Sequence, residues 1–105
     1  MQFFLNQRLG ILLPHSNKKW SDYPVTEQEQ ILERWERIRG SIPDRIQALE
    51  KEINILQSRL EEEEEFLFSC RINEEISEIA SIINDLWIWF RTSPSIENPS
   101  FPPFD

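Results

Sequence analysis

Over residues 42–60 one apolar stripe runs through Ile42, Ile46, Leu49, Ile53, Leu56 and Leu60. Their 4-3-4-3-4 spacing returns each side chain to one face of a helix and is that of a coiled-coil seam. A second stripe with the same spacing runs through Ile72, Ile76, Ile79, Ile83, Leu86 and Phe90. The stripes are out of phase, because Leu60 and Ile76 are equivalent positions separated by two residues more than two heptads. One straight helix through both would rotate the second stripe by about 200°. An antiparallel helical hairpin lets both face inward and is predicted over 42–62 and 66–91. The intended turn, Glu61–Glu65, has no Gly, Pro or Asn. Glu is a good helix former, so one long helix with a stutter stays open as the alternative.

Upstream, Ile31, Leu32, Trp35 and Ile38 share a face and predict a helix over 26–39. Thr26 with Glu29 has the spacing of a capping box, and Arg34, Arg37 and Arg39 suit a helix C-terminus. Gly40 suits the position after a helix end, and Ser41-Ile42-Pro43-Asp44 suits a new helix start. The fold class expected is therefore mostly α: a small three-helix bundle built on an antiparallel helical hairpin, forming a single helical domain over residues 1–91. Residues 1–25 hold two short apolar runs, Phe3-Phe4-Leu5 and Leu9 to Leu13, broken by Gly10 and closed by Pro14. They form an N-terminal apolar strap or a β-hairpin, then a loop, with Trp20 and Tyr23 on the helical body. Residues 92–105 carry four prolines and read as an extended Pro-rich tail, either disordered or laid on the body through Phe101 and Phe104.

A hairpin places Ile42 and Ile46 beside Leu86 and Phe90, and Leu60 beside Phe68 and Ile72. Leu86-Trp87-Ile88-Trp89-Phe90 is apolar on every face, so this base should be covered all round by the first helix and the strap. Trp35, Trp87 and Trp89 are expected as core anchors. A strap from a second subunit would serve as well, which makes a homodimer an alternative. Trp87, Trp89, Phe101 and Phe104 are then the candidate secondary or self-association surface.

The opposite end is acidic. Of the 105 residues, 1–60 carry nine Lys/Arg against eight Asp/Glu, and 61–105 carry two against eleven, for a net charge of −8. The candidate partner-binding tip is Glu61, Glu62, Glu63, Glu64, Glu65, Phe66, Phe68, Glu74 and Glu75. The bland reading is a solvated turn that confers solubility. The functional reading is a surface offered to a protein partner with a basic surface. Direct nucleic-acid binding and an anionic membrane are not expected, because phosphate contacts need cations.

Catalytic chemistry is not signalled. His15 and Cys70 are the only His and Cys, too few for a tetrahedral metal site. The acidic run lacks the spacing of a calcium loop, and Gly10 and Gly40 make no phosphate-binding loop. No enzyme activity, cofactor or metal is expected. The single cysteine, the lack of a basic-then-apolar leader and the lack of a transmembrane-length run give a cytoplasmic setting as the expectation.

Residues 49–79 resemble the UvrB/UvrC-type motif, a short helical hairpin. Leu49-Glu50-Lys51-Glu52-Ile53 looks like the motif's first helix, and Glu65-Phe66 matches its acidic-Phe pair. Ser69-Cys70 takes the place of an Ala pair, Ile72-Asn73-Glu74 stands for Leu-Arg-Asp, and Ile76 and Ile79 match later apolar positions. The resemblance implies a protein–protein contact module. The expectation is a non-enzymatic adaptor or regulator acting through an acidic helical hairpin. A small acidic inhibitor mimicking nucleic acid on a basic site, and a self-assembling structural helix bundle, are the alternatives.

Overall fold

A computed structural model describes residues 1–92. Two strands, β1 (Gln2–Asn6) and β2 (Ile11–His15), and a single-turn 3-10 helix (Trp20–Asp22) precede two long helices, α1 (Val25–Glu62) and α2 (Phe66–Phe90). The helices pack against each other as a hairpin, and the described chain is a rod of 60 × 22 × 22 Å. At about 1.5 Å per residue, the 38 residues of α1 run nearly its full length.

The hairpin and the mostly helical class agree with the sequence; the third helix does not. Residues 26–39 and 42–62 belong to one helix that passes through Gly40 and Pro43. Gly40 keeps an ordinary negative φ, and the Ser41 hydroxyl donates to the Ile38 carbonyl (2.6 Å) instead of capping a new helix. Pro43 removes the N–H that the Arg39 carbonyl would accept, a cost of about 3 kcal/mol in a helix interior. Packing offsets it, since Trp35 and Ile42 have no exposed surface and Ile46 and Leu49 keep only 2%. The phase carries through: Ile31, Trp35, Ile38 and Ile42 follow at 4-3-4, an eleven-residue interval that joins the seam without rotating it. The helix also starts earlier than Thr26. Pro24 is the N-cap residue, its carbonyl accepting from Gln28 N–H (2.9 Å), and no side chain caps this end.

The turn between the helices needs no glycine. Glu63 and Glu65 both take extended backbone angles with negative φ. The Glu63 N–H donates to the Leu60 carbonyl (3.3 Å), and the Glu63 carboxylate accepts from the Glu65 N–H (3.1 Å). Glu65, at the start of α2, sits where the helix dipole favours an acid.

The first apolar runs form a β-hairpin, pairing Gln2 with His15 through Asn6 with Ile11. Gly10 closes its loop with φ 75°, a conformation open to Gly, and its N–H reaches the Asn6 carbonyl (2.7 Å). The loop tip docks on the helices. Leu9 and Ile11 enter the core formed by Trp35, Ile42, Ile46, Leu49, Ile82, Leu86 and Trp89. The Arg8 guanidinium clamps one face of α2, with Nε to Glu78 (3.0 Å), one terminal nitrogen to Asp85 (2.7 Å) and the other to Ser81 Oγ (2.9 Å). These acceptors share a face because they stand at i, i+3 and i+7. Arg45 Nε donates to the Leu9 carbonyl (3.1 Å) from the α1 side.

Candidate functional site: the acidic tip of the hairpin

The two ends of the rod differ in how many layers cover them. At the base, Trp35 and Trp89 meet edge to face with centroids 5.7 Å apart. The Trp35 indole N–H donates to the Thr92 carbonyl (2.9 Å) and Arg39 donates to the Phe90 carbonyl (3.3 Å). A cation and an indole on α1 thus satisfy carbonyls at the end of α2 and just past it. Trp20, Tyr23 and Ile31 form an adjoining cluster that Met1, Phe3 and Leu32 cover. Trp20 and Tyr23 lie on the helical body as the sequence suggests.

Towards the tip only two helices remain, and among the described residues neither has a third layer over it. Phe66 is 78% exposed, Leu67 73% and Phe68 51%. They open α2 directly after Glu63-Glu64-Glu65, so three apolar side chains and the acidic run share one end of the molecule. Among the described residues none of the ion pairs involves Glu61–Glu65, Glu74 or Glu75. The tip acids thus form no direct ion pair among the described residues, although Arg59 and Arg71 line the same groove as Glu62, Glu63 and Glu75. That groove lies below the tip, between the helices, and Leu56, Phe68 and Ile72 line it too. The Arg71 guanidinium stands 5.7 Å from the Phe68 ring centre.

Of the residues singled out from the sequence, the fold gathers Glu61 to Glu65, Phe66 and Phe68 at the tip, with Glu74 and Glu75 exposed further along α2. Leu67 belongs with them and was missed, because it lies off the heptad stripe. Its signal was the run Phe66-Leu67-Phe68, apolar on three successive directions at a helix start. Trp89 is 1% exposed and Trp87 39%, so of that pair only Trp87 presents surface. Phe101 and Phe104, with the proposed tail, lie outside the described residues. Cys70 is half-buried and His15 is exposed on β2, against Phe4 with ring centres 6.2 Å apart. Among the described residues no group of three His, Cys, Asp or Glu is placed to hold a metal ion, and no helix is long and apolar enough to cross a membrane.

Among the described residues, Arg8 is the one titratable group clearly displaced from its ordinary value. Hydrogen bonds from its guanidinium to Asp85 and then Glu78 push its pKa up. This clamp fixes the base and leaves the tip untouched. No family model, curated protein or solved structure matches the chain.

Proposed function

We propose that this chain is a non-enzymatic adaptor or regulator that docks the tip of its helical hairpin on a protein partner. The observation that carries the reading is the exposure of Phe66, Leu67 and Phe68 beside acids that form no ion pair among the described residues. A turn kept only for solubility has no use for three exposed apolar side chains. Burying one such side chain contributes about 1.5–3 kcal/mol. Unpaired carboxylates around it speed the encounter with a cationic surface and select against acidic ones. The complementary partner presents an apolar pocket rimmed by Lys or Arg. The resemblance of residues 49–79 to the UvrB/UvrC-type hairpin, a contact module, supports the same reading. The clustering of charge at one end favours a compact protein pocket over mimicry of a nucleic acid, which needs carboxylates spread at phosphate-like intervals.

Affinity capture from the native lysate, with and without nuclease, tests this. The wild type is run beside a Glu61–Glu65→Lys variant and a Phe66→Ser/Phe68→Ser variant. A protein retained by the wild type and lost in both variants, irrespective of nuclease, is the expected result. The same proteins held equally by all three forms would make the tip a solubility feature.

A further inference from the structure

Arg59 stands in the last turn of α1 and Arg71 early in α2, so facing helices bring two guanidiniums to one groove. Neither forms an ion pair among the described residues, although carboxylates stand close in sequence. The cause is direction along the helix. The acids within helical reach of Arg59 are Glu62 and Glu63, and those of Arg71 are Glu74 and Glu75, all C-terminal to the arginine. A helical side chain leans over the turn before its own Cα, so an acid placed after its cation makes the weaker pair. The two pairs that form within α1, Arg37 with Glu33 and Arg39 with Glu36, have the acid on the N-terminal side. Arg59 and Arg71 have apolar residues there instead. The Arg71 guanidinium stands over the Phe68 ring, and Ile55 and Leu56 occupy the positions four and three before Arg59.

The groove is therefore apolar underneath, with Leu56 only 6% exposed, and holds two unpaired guanidiniums with Glu62, Glu63 and Glu75 beside them. Its volume of about 490 Å³ suits a few side chains. The complement of this surface carries both signs. A lone anion meets three carboxylates, and a purely cationic surface meets two guanidiniums. A phosphate, with a charge near −2, is opposed by the carboxylates more than a singly charged group is.

We infer that Arg59 and Arg71 clamp a carboxylate of the docked partner. It belongs to an Asp or Glu side chain on a peptide segment whose neighbouring Lys or Arg face Glu62, Glu63 and Glu75. A guanidinium meets a carboxylate through two parallel N–H···O bonds, which are stronger over an apolar floor than in open water. The occupant is thus a protein segment of mixed charge and not a uniformly basic face. Specificity gains a repulsive part, since a partner with cations alone at this height sets them against the two arginines. The inference rests on the tip as the docking surface and adds the sign that the partner carries beside it.

Selection of a random-peptide phage library on the immobilised full chain tests this. Wild type is run beside Arg59→Ala/Arg71→Ala, Phe66→Ser/Phe68→Ser, and Arg37→Ala/Lys51→Ala, which removes the same charge elsewhere. Wild type and Arg37→Ala/Lys51→Ala should enrich peptides in which Asp or Glu stands among Lys, Arg and apolar residues. Arg59→Ala/Arg71→Ala should enrich the bases and apolar residues without the acid. Replacing the acid of the best peptide by Ala should weaken its binding to wild type about tenfold, the worth of one charge-assisted hydrogen bond. The same replacement should leave binding to Arg59→Ala/Arg71→Ala unchanged. An empty wild-type pool, a pool without acids, acids retained when both arginines are gone, or acids lost equally with Arg37 and Lys51 would overturn the inference. A wild-type dimer that Arg59→Ala/Arg71→Ala dissolves would give the groove to a second copy, and enriched peptides matching residues 93–105 would give it to the chain itself; either overturns a partner's carboxylate. Both arginines are exposed, and if their double variant fails to fold, the peptide substitution on wild type decides. Acid-free basic peptides that depend on Phe66 and Phe68 would keep the tip as docking surface and remove the clamp. Acid-bearing peptides indifferent to Phe66 and Phe68 would keep the clamp and sink the tip.

Discussion

Gly40→Ala and Gly10→Ala are the same chemical change with opposite expected signs. Gly40 lies inside α1 on an exposed face, with a negative φ and nothing within 4 Å of where a Cβ would stand. The substitution there neither clashes nor fills space. What remains is the helix preference of Ala over Gly, about 0.8–1.0 kcal/mol, most of it lost freedom in the unfolded chain. For a domain of this size the melting temperature should rise by about 4–8 °C. The urea midpoint should rise by roughly 0.3–0.9 M with an unchanged slope. Gly10 has φ 75°, and an added Cβ would stand 2.7 Å from Arg45 Nε, the atom that holds the Leu9 carbonyl. Ala there costs about 1–2 kcal/mol in backbone strain alone and disturbs the docked loop as well. Urea unfolding of both variants by circular dichroism is the assay. If Gly40→Ala destabilises by about 1 kcal/mol or more, the glycine occupies a left-handed helix end and the continuous α1 is refuted.

Other variants probe the base, the clamp and the tip. Trp35→Phe should cost about 1–3 kcal/mol by leaving the buried Thr92 carbonyl without its donor, read by the same unfolding assay. Arg8→Lys cannot reproduce a fork that holds Glu78, Ser81 and Asp85 together, so it should destabilise, and by less as salt is raised from about 0.05 to 1 M. Because the folded pKa of Arg8 is raised, its contribution is fully present below the unfolded value and is lost only as pH rises through the folded one. The difference between wild type and Arg8→Lys should therefore be flat over roughly pH 6 to 9. Phe66→Ser should change stability by no more than about 0.5 kcal/mol, since a side chain 78% exposed has little packing to lose; a larger loss would make Phe66 structural.

The parts of the fold written as periodicity were legible. The stripes Ile42 to Leu60 and Ile72 to Phe90 pointed to a hairpin, and their conflict of phase favoured a turn near Glu61–Glu65 over one long helix with a stutter. The break at Gly40 was misread because three local signals, Gly40, Ser41 and Pro43, coincide there. The competing signal was the eleven-residue interval from Ile31 to Ile42, which keeps one apolar face unrotated. Tertiary burial of Trp35 and Ile42 decided between them. Thr26 and Glu29 had capping-box spacing, but Pro24 already supplies a fixed φ two residues earlier. The Arg8 clamp had no local signature. Glu78, Ser81 and Asp85 form a polar line on α2, yet nothing in the chain nearby shows that an arginine from a distant turn would meet it. At the tip the acids were evident from the sequence, whereas the exposure of Leu67 required knowing that no third helix covers this end.

The Arg8 clamp joins positions 70, 73 and 77 residues apart. The helical hairpin can zip from its turn through contacts between near neighbours, while the Arg8 clamp has nothing to close on until α2 exists. At a synthesis rate of about 5–20 residues per second, the 77 positions from Arg8 to Asp85 take roughly 4–15 s to make. Throughout that interval Leu9 and Ile11 lack the α2 side of their core, Ile82, Leu86 and Trp89. The β-hairpin, made before either helix, thus completes its docking only after both, and for this element the order of assembly runs against the order of translation.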